Sequence, residues 1–317
     1  MMRALFFDND LRYRTDYPVP EPRENEALIR VTCAGICNTD LEIVKGYMNS
    51  KGVPGHEFVG VVERCWNQAL EGKRVVGEIN LSCRNCPLCK GGLRNHCPNR
   101  SVLGILGKDG AFADYVTLPI ENLHLVPDSV PDEEAVFVEP LAAAFEILEQ
   151  VKIGAGDRVC ILGDGNLGLL AAQVVSLTGC ALVVGGGHKE KLSILERRGI
   201  ETILSSDITE REFDCVIDCT GSPSGVESAM KLVRPKGTIV LKTTVAKRDN
   251  IDMNVIVIDE ITLVGSRCGP FEPAIQALKV KTVDVLPLIS RTFPLSEGVE
   301  AFNFASGKGI LKVLLKA

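Results

Sequence analysis

Two absences narrow the possibilities for this 317-residue chain before any motif is considered. Positive charge is not in excess: 35 Lys and Arg stand against 41 Asp and Glu, a formal net charge of −6. Proteins that hold nucleic acid or anionic membranes carry a basic footprint, so neither partner is expected. Long hydrophobic runs are missing too, since no stretch reaches the roughly 18 apolar residues that a spanning helix needs. The opening MMRALFFDNDLRYRTD has charges spread through it and no apolar block before a cleavage site. It reads as a first strand rather than a secretion signal, and the cytoplasm is the expected location. Low-complexity segments, blocks of like charge and internal repeats are also lacking. What is left is a composition of 45% hydrophobic and 24% charged residues, that of a globular protein, in a chain too long for one ordinary core.

The texture of the chain changes along its length. In the first 140 residues short apolar runs are cut by Gly, Pro and Asn, and ALIRVTCAG, EFVGVVER, RVVGEI and FADYVTL read as strands. From about Val151 strands alternate with helical patterns: RVCIL with NLGLLAAQVVSLTG, ALVV with KEKLSILERRG, FDCVIDCTG with PSGVESAMKLV, and then GTIVLK. Such alternation specifies a parallel, doubly wound sheet. Beyond ITLVGS the pattern is mixed again, and the chain ends on the strand-like ILKVLLKA. The expected architecture is therefore α/β, with a nucleotide-type domain over 142–266 inserted into a β-rich domain made of 1–141 and 267–317.

Twelve cysteines are many for a reducing compartment, where structural disulfides are disfavoured. Four of them, Cys83, Cys86, Cys89 and Cys97, form C-x2-C-x2-C-x7-C, with Pro87, Gly91, Gly92 and Pro98 supplying turns. Closely spaced thiolates on short loops suit tetrahedral zinc, and four sulfur ligands leave no position open for substrate. The site is thus expected to be structural. A nucleic-acid-binding zinc ribbon would use similar ligands, but one lobe in an acidic protein argues against it. Cys160, Cys180, Cys215 and Cys219 lie in apolar strand-like runs and are expected to be buried as small hydrophobes.

A second donor set is scattered. Cys37 in GICNTD, His56 in PGHEFVG and Glu139 in VFVEPLA supply one thiolate, one imidazole and one carboxylate, a reasonable catalytic zinc set with a fourth position for water or substrate. Spacing alone does not join them. Further on, Gly163, Asp164, Gly165, Asn166, Leu167 and Gly168 make a G-x-G-x-x-G turn directly after RVCIL and at the start of a helix. In that context the motif binds the pyrophosphate of a dinucleotide.

GICNTD, GHEFVGVVE, the four-cysteine lobe, EPLA and GDGNLG follow one another in an order that resembles the zinc-containing medium-chain dehydrogenase/reductases, the alcohol dehydrogenase family. The resemblance covers essentially the whole chain. It implies a Rossmann domain inserted into a GroES-like catalytic domain, with one catalytic and one structural zinc. The implied reaction passes a hydride between a secondary alcohol, polyol or sugar and NAD(P), the zinc stabilising the substrate's alkoxide. The same site would serve an aldehyde or ketone reductase working in reverse. A catalytically retired nucleotide-binding relative is the third possibility, against which Cys37, Thr39, His56, Glu57 and Glu139 are all present.

By the same resemblance Cys37 and His56 match zinc ligands, and Glu57 matches a carboxylate beside the metal that can ligate it. Glu139 falls where liver-type alcohol dehydrogenases carry cysteine and sorbitol, threonine and glucose dehydrogenases carry glutamate, which favours the polyol branch. Thr39 matches the hydroxyl that passes the substrate proton outward, and Asp40 is expected to orient His56. Many relatives complete that relay with a histidine; this chain has Glu42, either a sign of a polar, sugar-like substrate or a surface helix residue. Aligned on KL at the helix start, Gly186 stands where an NAD enzyme presents an acid, and His188, Lys189 and Lys191 follow. That pattern favours NADP(H) over NAD(H). Arg267 in SRCGPF is expected to touch cofactor or substrate, and a homodimer or homotetramer built on ITLVG is implied.

Overall fold

The computed structural model describes residues 1–209, 211–244 and 251–317. They divide into two compact units: Pro140–Pro270, and a second made of Met1–Glu139 together with Phe271–Ala317.

In the first unit RVCIL, ALVVGG, FDCVID and their neighbours are nearly continuous apolar runs, as strands covered on both faces must be. They form a six-stranded sheet, every pairing parallel, in the order Glu201–Leu204, Ala181–Gly186, Arg158–Leu162, Phe213–Asp218, Val233–Leu241, Thr262–Gly265. The order reverses at Arg158–Leu162, so the crevice beyond its carboxyl end is the topological switch point where such sheets bind ligands. This is the Rossmann arrangement. Helix Asn166–Ser176 starts there and buries Gly168 through Val175 almost completely, because apolar residues occupy nearly its whole surface. Helix Lys189–Glu196 buries only Leu192, Ile194 and Leu195, and its charged residues face water. The helix expected over PSGVESAMKLV begins at Gly225, where a Cβ would fall 2.3 Å from Thr220 Oγ1 and 2.4 Å from Asp218 Oδ1. Cys160 and Cys215 lie in the core as expected, whereas Cys180 and Cys219 are only half-buried.

The second unit is mostly antiparallel. Its main sheet runs Leu123–Leu125, Arg74–Gly77, Glu57–Cys65, Glu26–Ile36, Lys312–Lys316, Ile289–Pro294, with Tyr115–Pro119 added alongside Glu26–Ile36. The alternating apolar positions of these strands bury Ile29, Leu118 and Phe293, each such side chain stabilising the fold by about 1.5–3 kcal/mol. The last strand lies antiparallel to Glu26–Ile36, with Val313 opposite Ile36 and Leu314 opposite Gly35. On the other side of Glu26–Ile36, Gly35 pairs with Glu57. One row across three strands thus joins the far end of the chain to the start of strand Glu57–Cys65. Among the described residues no helix is long and apolar enough to cross a membrane.

Candidate metal centres and dinucleotide site

Residues 83–97 fold as a tight loop in which Pro87 opens a short helix, Pro87–Lys90, and Arg94–His96 form a single turn. Pro suits the first helical position because its missing N–H would have no partner there. Cys97 Sγ lies 3.4 Å from Cys83 Sγ and 3.9 Å from Cys86 Sγ, and Cys86 and Cys89 are 3.5 Å apart. A disulfide needs about 2.05 Å, so none of these pairs is bonded. Four sulfurs at about 2.3 Å from a tetrahedral zinc would stand roughly 3.8 Å from one another, close to the spacing found. Backbone N–H groups of Asn85 and Cys86, helped by Cys97, hold the Cys83 thiol down to about 6. The loop thereby presents a thiolate, the form that binds metal.

The second cluster is assembled from separate elements. Cys37 follows the strand Glu26–Ile36 and caps the helix Asn38–Val44, where Asp40 Oδ2 accepts its N–H at 2.9 Å. His56 and Glu57 stand at the start of the strand Glu57–Cys65. One ligand atom each from Cys37, His56 and Glu57 lies within 4.8 Å of the others. The fully buried Asp40 ties the group together, its Oδ1 accepting the Gly55 N–H at 3.2 Å and facing His56 Nδ1 at 3.2 Å. With Nδ1 so engaged, Nε2 is the ring nitrogen left available to a metal. Burial by itself would lower the His56 pKa, but Asp40 and then Cys37 beside the ring hold it well above the ordinary histidine range.

Glu57 is held from one side only. Lys312, buried beneath it, places Nζ 2.5 Å from Glu57 Oε2 and donates to Ile36 O at 3.2 Å. Burial opposes the lysine's charge, yet Glu57 and then Cys37 keep its pKa above the usual value. Gly35 makes room for this pair: a Cβ there would lie 2.6 Å from Glu57 Oε2 and 3.3 Å from Lys312 Cδ. The other carboxylate oxygen, Oε1, is buried without a hydrogen-bond partner. Such an acceptor costs roughly 1–3 kcal/mol, more when charged, unless something positive meets it. A thiolate, an imidazole and a half-satisfied carboxylate are a donor set that zinc fits, with a coordination position to spare.

The remaining residues singled out near Cys37 have different surroundings. Thr39 is half-buried in the first turn of the helix Asn38–Val44. Glu42, 41% exposed, pairs with Lys45 at 2.9 Å. Glu139 is half-buried at the start of helix Val138–Gln150 and lies outside the group gathered within 4.8 Å. Lys312 and Gly35 escaped notice in the sequence. The available signal for the first was a lysine at the head of an otherwise apolar terminal strand.

In the Rossmann unit Gly163 has φ +118°, and a Cβ on it would strike Cys219 O at 2.5 Å. A Cβ on Gly168 would fall 2.0 Å from Gly163 O, while the Cβ direction of Gly165 is open. The turn therefore packs tightly on its inner side and leaves a cradle outside, the shape a pyrophosphate requires. Asn166 and Leu167 open the helix behind it, and Asn166 Oδ1 is buried without a partner. Gly186 ends the strand Ala181–Gly186, and His188 caps the next helix with Lys189 exposed in its first turn. Asp164 reaches this second turn: its Oδ2 accepts N–H bonds from Gly187 and His188, each at 2.7 Å. Arg267 is exposed, with Nη1 3.7 Å from Cys268 Sγ.

Comparison with known proteins agrees with this geometry. Residues 23–128 match the family model of the alcohol dehydrogenase GroES-like domain, and residues 166–280 match that of the zinc-binding dehydrogenases. D-arabitol-phosphate dehydrogenase of Enterococcus avium is 30% identical over a match covering 95% of this chain and 93% of that protein. The chain belongs to the zinc-containing medium-chain dehydrogenase/reductase family. Two solved structures extend the likeness to the whole fold. A zinc-binding-dehydrogenase-type protein of Sinorhizobium meliloti 1021, with NADP bound, superposes with a TM-score of 0.92 at 28% identity, over 100% of this chain and 99% of that one. An alcohol dehydrogenase of Escherichia coli CFT073, complexed with NADH, gives 0.92 at 27% identity with the same coverage. This medium-chain dehydrogenase is thus a zinc-dependent oxidoreductase of the alcohol dehydrogenase type, with a Rossmann unit and a GroES-like unit.

Proposed function

We propose that this dehydrogenase oxidises a secondary alcohol, polyol or sugar, or reduces the corresponding carbonyl, with a nicotinamide dinucleotide as hydride partner. A zinc held by Cys37, His56 and Glu57 would serve the substrate oxygen. The observation that carries this is the cluster of ligand atoms within 4.8 Å in which one buried oxygen, Glu57 Oε1, has no other partner. Zinc, when bound, supplies Lewis-acid polarisation of an oxygen and lets its proton leave near neutral pH.

The protein's own side chains do the rest. Asp40 fixes the tautomer and tilt of His56. Lys312 anchors one oxygen of Glu57 and so aims the other. Thr39, two residues beyond Cys37, is the hydroxyl placed to take the alcohol proton outward. Glu42 is drawn to Lys45 on the helix surface, which favours the surface-residue reading over a substrate contact. Glu139 stands as a further carboxylate ligand in reserve, and its identity together with the likeness to a polyol-phosphate dehydrogenase supports a polyol substrate. Cys83, Cys86, Cys89 and Cys97 would enclose a second, structural zinc.

For the dinucleotide, Gly163, Gly165 and Gly168 cradle the pyrophosphate, with Asp164, Asn166 and Leu167 filling out the turn. Two features bear on the 2′-phosphate and pull in opposite directions. Gly186, His188 and Lys189 offer an acid-free, cationic edge, the basis for expecting NADP(H), and Arg267 would add a further cation toward cofactor or substrate. Against them, the Asp164 carboxylate lies at the same place. Unpaired thiols at the four-cysteine loop suit the cytoplasm. The partly exposed edge strand Thr262–Gly265 is the surface through which a dimer or tetramer would form.

Metal analysis of the purified protein tests the proposal, followed by a screen of polyols and secondary alcohols with both dinucleotides. Two zinc ions per chain and dinucleotide reduction that is lost on chelation are expected. Zinc-free protein with full turnover would sink the zinc mechanism.

A further inference from the structure

Resting on the dinucleotide reading above, we propose that Asp164 takes over the part that a strand-end acid plays in NAD sites, so that this enzyme selects the dinucleotide without a 2′-phosphate. In Rossmann sites an Asp or Glu about 20 residues beyond the glycine turn receives the ribose hydroxyls. Here that position is Gly186, which has no side chain. The space is filled from the other loop: a Cβ on Gly186 would lie 2.7 Å from Asp164 Cβ and 2.8 Å from Asp164 Oδ2. A carboxylate therefore stands where the missing acid would have projected, although it arrives from the glycine turn.

That carboxylate is fixed rather than mobile. Asp164 is only 8% exposed. Its Oδ2 accepts the Gly187 and His188 N–H bonds at 2.7 Å each, and His188 Nδ1 lies 3.0 Å from Oδ2 and 3.3 Å from Oδ1. A carboxylate has about four acceptor sites, so Oδ1 keeps capacity for a ribose hydroxyl. The same contacts change the local charge. His188, expected as a phosphate partner, turns its Nδ1 onto Asp164, and a proton on that ring is offset by the carboxylate beside it. Lys189 and Arg267 remain, but both are exposed, and solvated cations attract weakly. A 2′-phosphate, with charge near −2, would then face a nearly buried carboxylate of like charge.

The test is fluorescence titration of wild-type protein and Asp164→Asn with NADH and NADPH at one fixed ionic strength. Asn keeps the size and an acceptor for the two backbone N–H groups while removing the charge. Wild type is expected to bind NADH about tenfold or more tighter than NADPH, and the variant to narrow that ratio about tenfold, chiefly by gaining NADPH affinity. A variant that weakens both dinucleotides alike, with the ratio unchanged, would show that Asp164 only braces the loop and would overturn the proposal. Wild type preferring NADPH would overturn it without any variant. Binding of neither by wild type would instead overturn the dinucleotide reading, and the role of Asp164 with it.

Discussion

Between Cys83 and Cys97 four sulfurs come from one short loop, whereas the ligand atoms of Cys37, His56 and Glu57 are gathered from a helix cap and the start of the neighbouring strand. The loop needs little beyond its own turns: its sulfurs already stand 3.4–3.9 Å apart, and backbone N–H groups prepare one thiolate. The dispersed set depends on a buried frame. Asp40 holds His56, Lys312 holds Glu57, and Gly35 leaves the space in which that ion pair fits. A closed sulfur cage can serve stability alone. A cluster of three unlike donors with an unpaired carboxylate oxygen can serve chemistry, and its frame is the cost of keeping those donors poised.

Substitutions should separate the two clusters by what they lose. Cys89→Ala removes one ligand of the cage, which forfeits a large share of the roughly 10–16 kcal/mol that a structural zinc adds to folding. A loss on the order of 5 kcal/mol is expected in urea denaturation, with turnover per folded molecule nearly kept. Cys37→Ala should do the reverse. Turnover should fall about 10³-fold, as removal of Lewis-acid stabilisation implies, while melting temperature and dinucleotide binding stay close to wild type. If Cys37→Ala unfolded the protein and Cys89→Ala left it stable, the contrast between the clusters would collapse.

Lys312→Met sharpens the comparison from inside the frame. It leaves Glu57 buried with its ion-pair partner gone, a defect worth about 3 kcal/mol in thermal or urea denaturation. The loss should shrink when zinc is present, because the metal gives the carboxylate another positive partner. An equal loss with and without zinc would mean that Glu57 does not face the metal.

Much of this protein was legible because its signals are local. Strand–turn–helix alternation and G-x-G-x-x-G marked the Rossmann sheet, since each element buries its apolar face by a period visible within a dozen residues. C-x2-C-x2-C-x7-C marked the cage for the same reason. Asp40 beside His56 followed from the resemblance. Glu42 illustrates the opposite case: in the sequence it could be a substrate contact or a surface residue, and its pairing with Lys45 depends on which way the helix faces.

What the sequence by itself determined was therefore the order of the elements, the two kinds of fold and the chemistry available in the donor side chains. Tertiary structure decided which of them meet. Lys312 and Glu57 are 255 residues apart and touch only because the final strand returns beside Glu26–Ile36, where Gly35 leaves room for the pair. Asp164 reaches the turn after Gly186 because the sheet places strands Arg158–Leu162 and Ala181–Gly186 side by side in parallel. Ion pairs and charge placements of this sort fall off within a few ångströms, whereas the patterns that specify strands and helices run along the chain. Spacing in sequence therefore carries the fold, and only packing carries the partners of a buried charge.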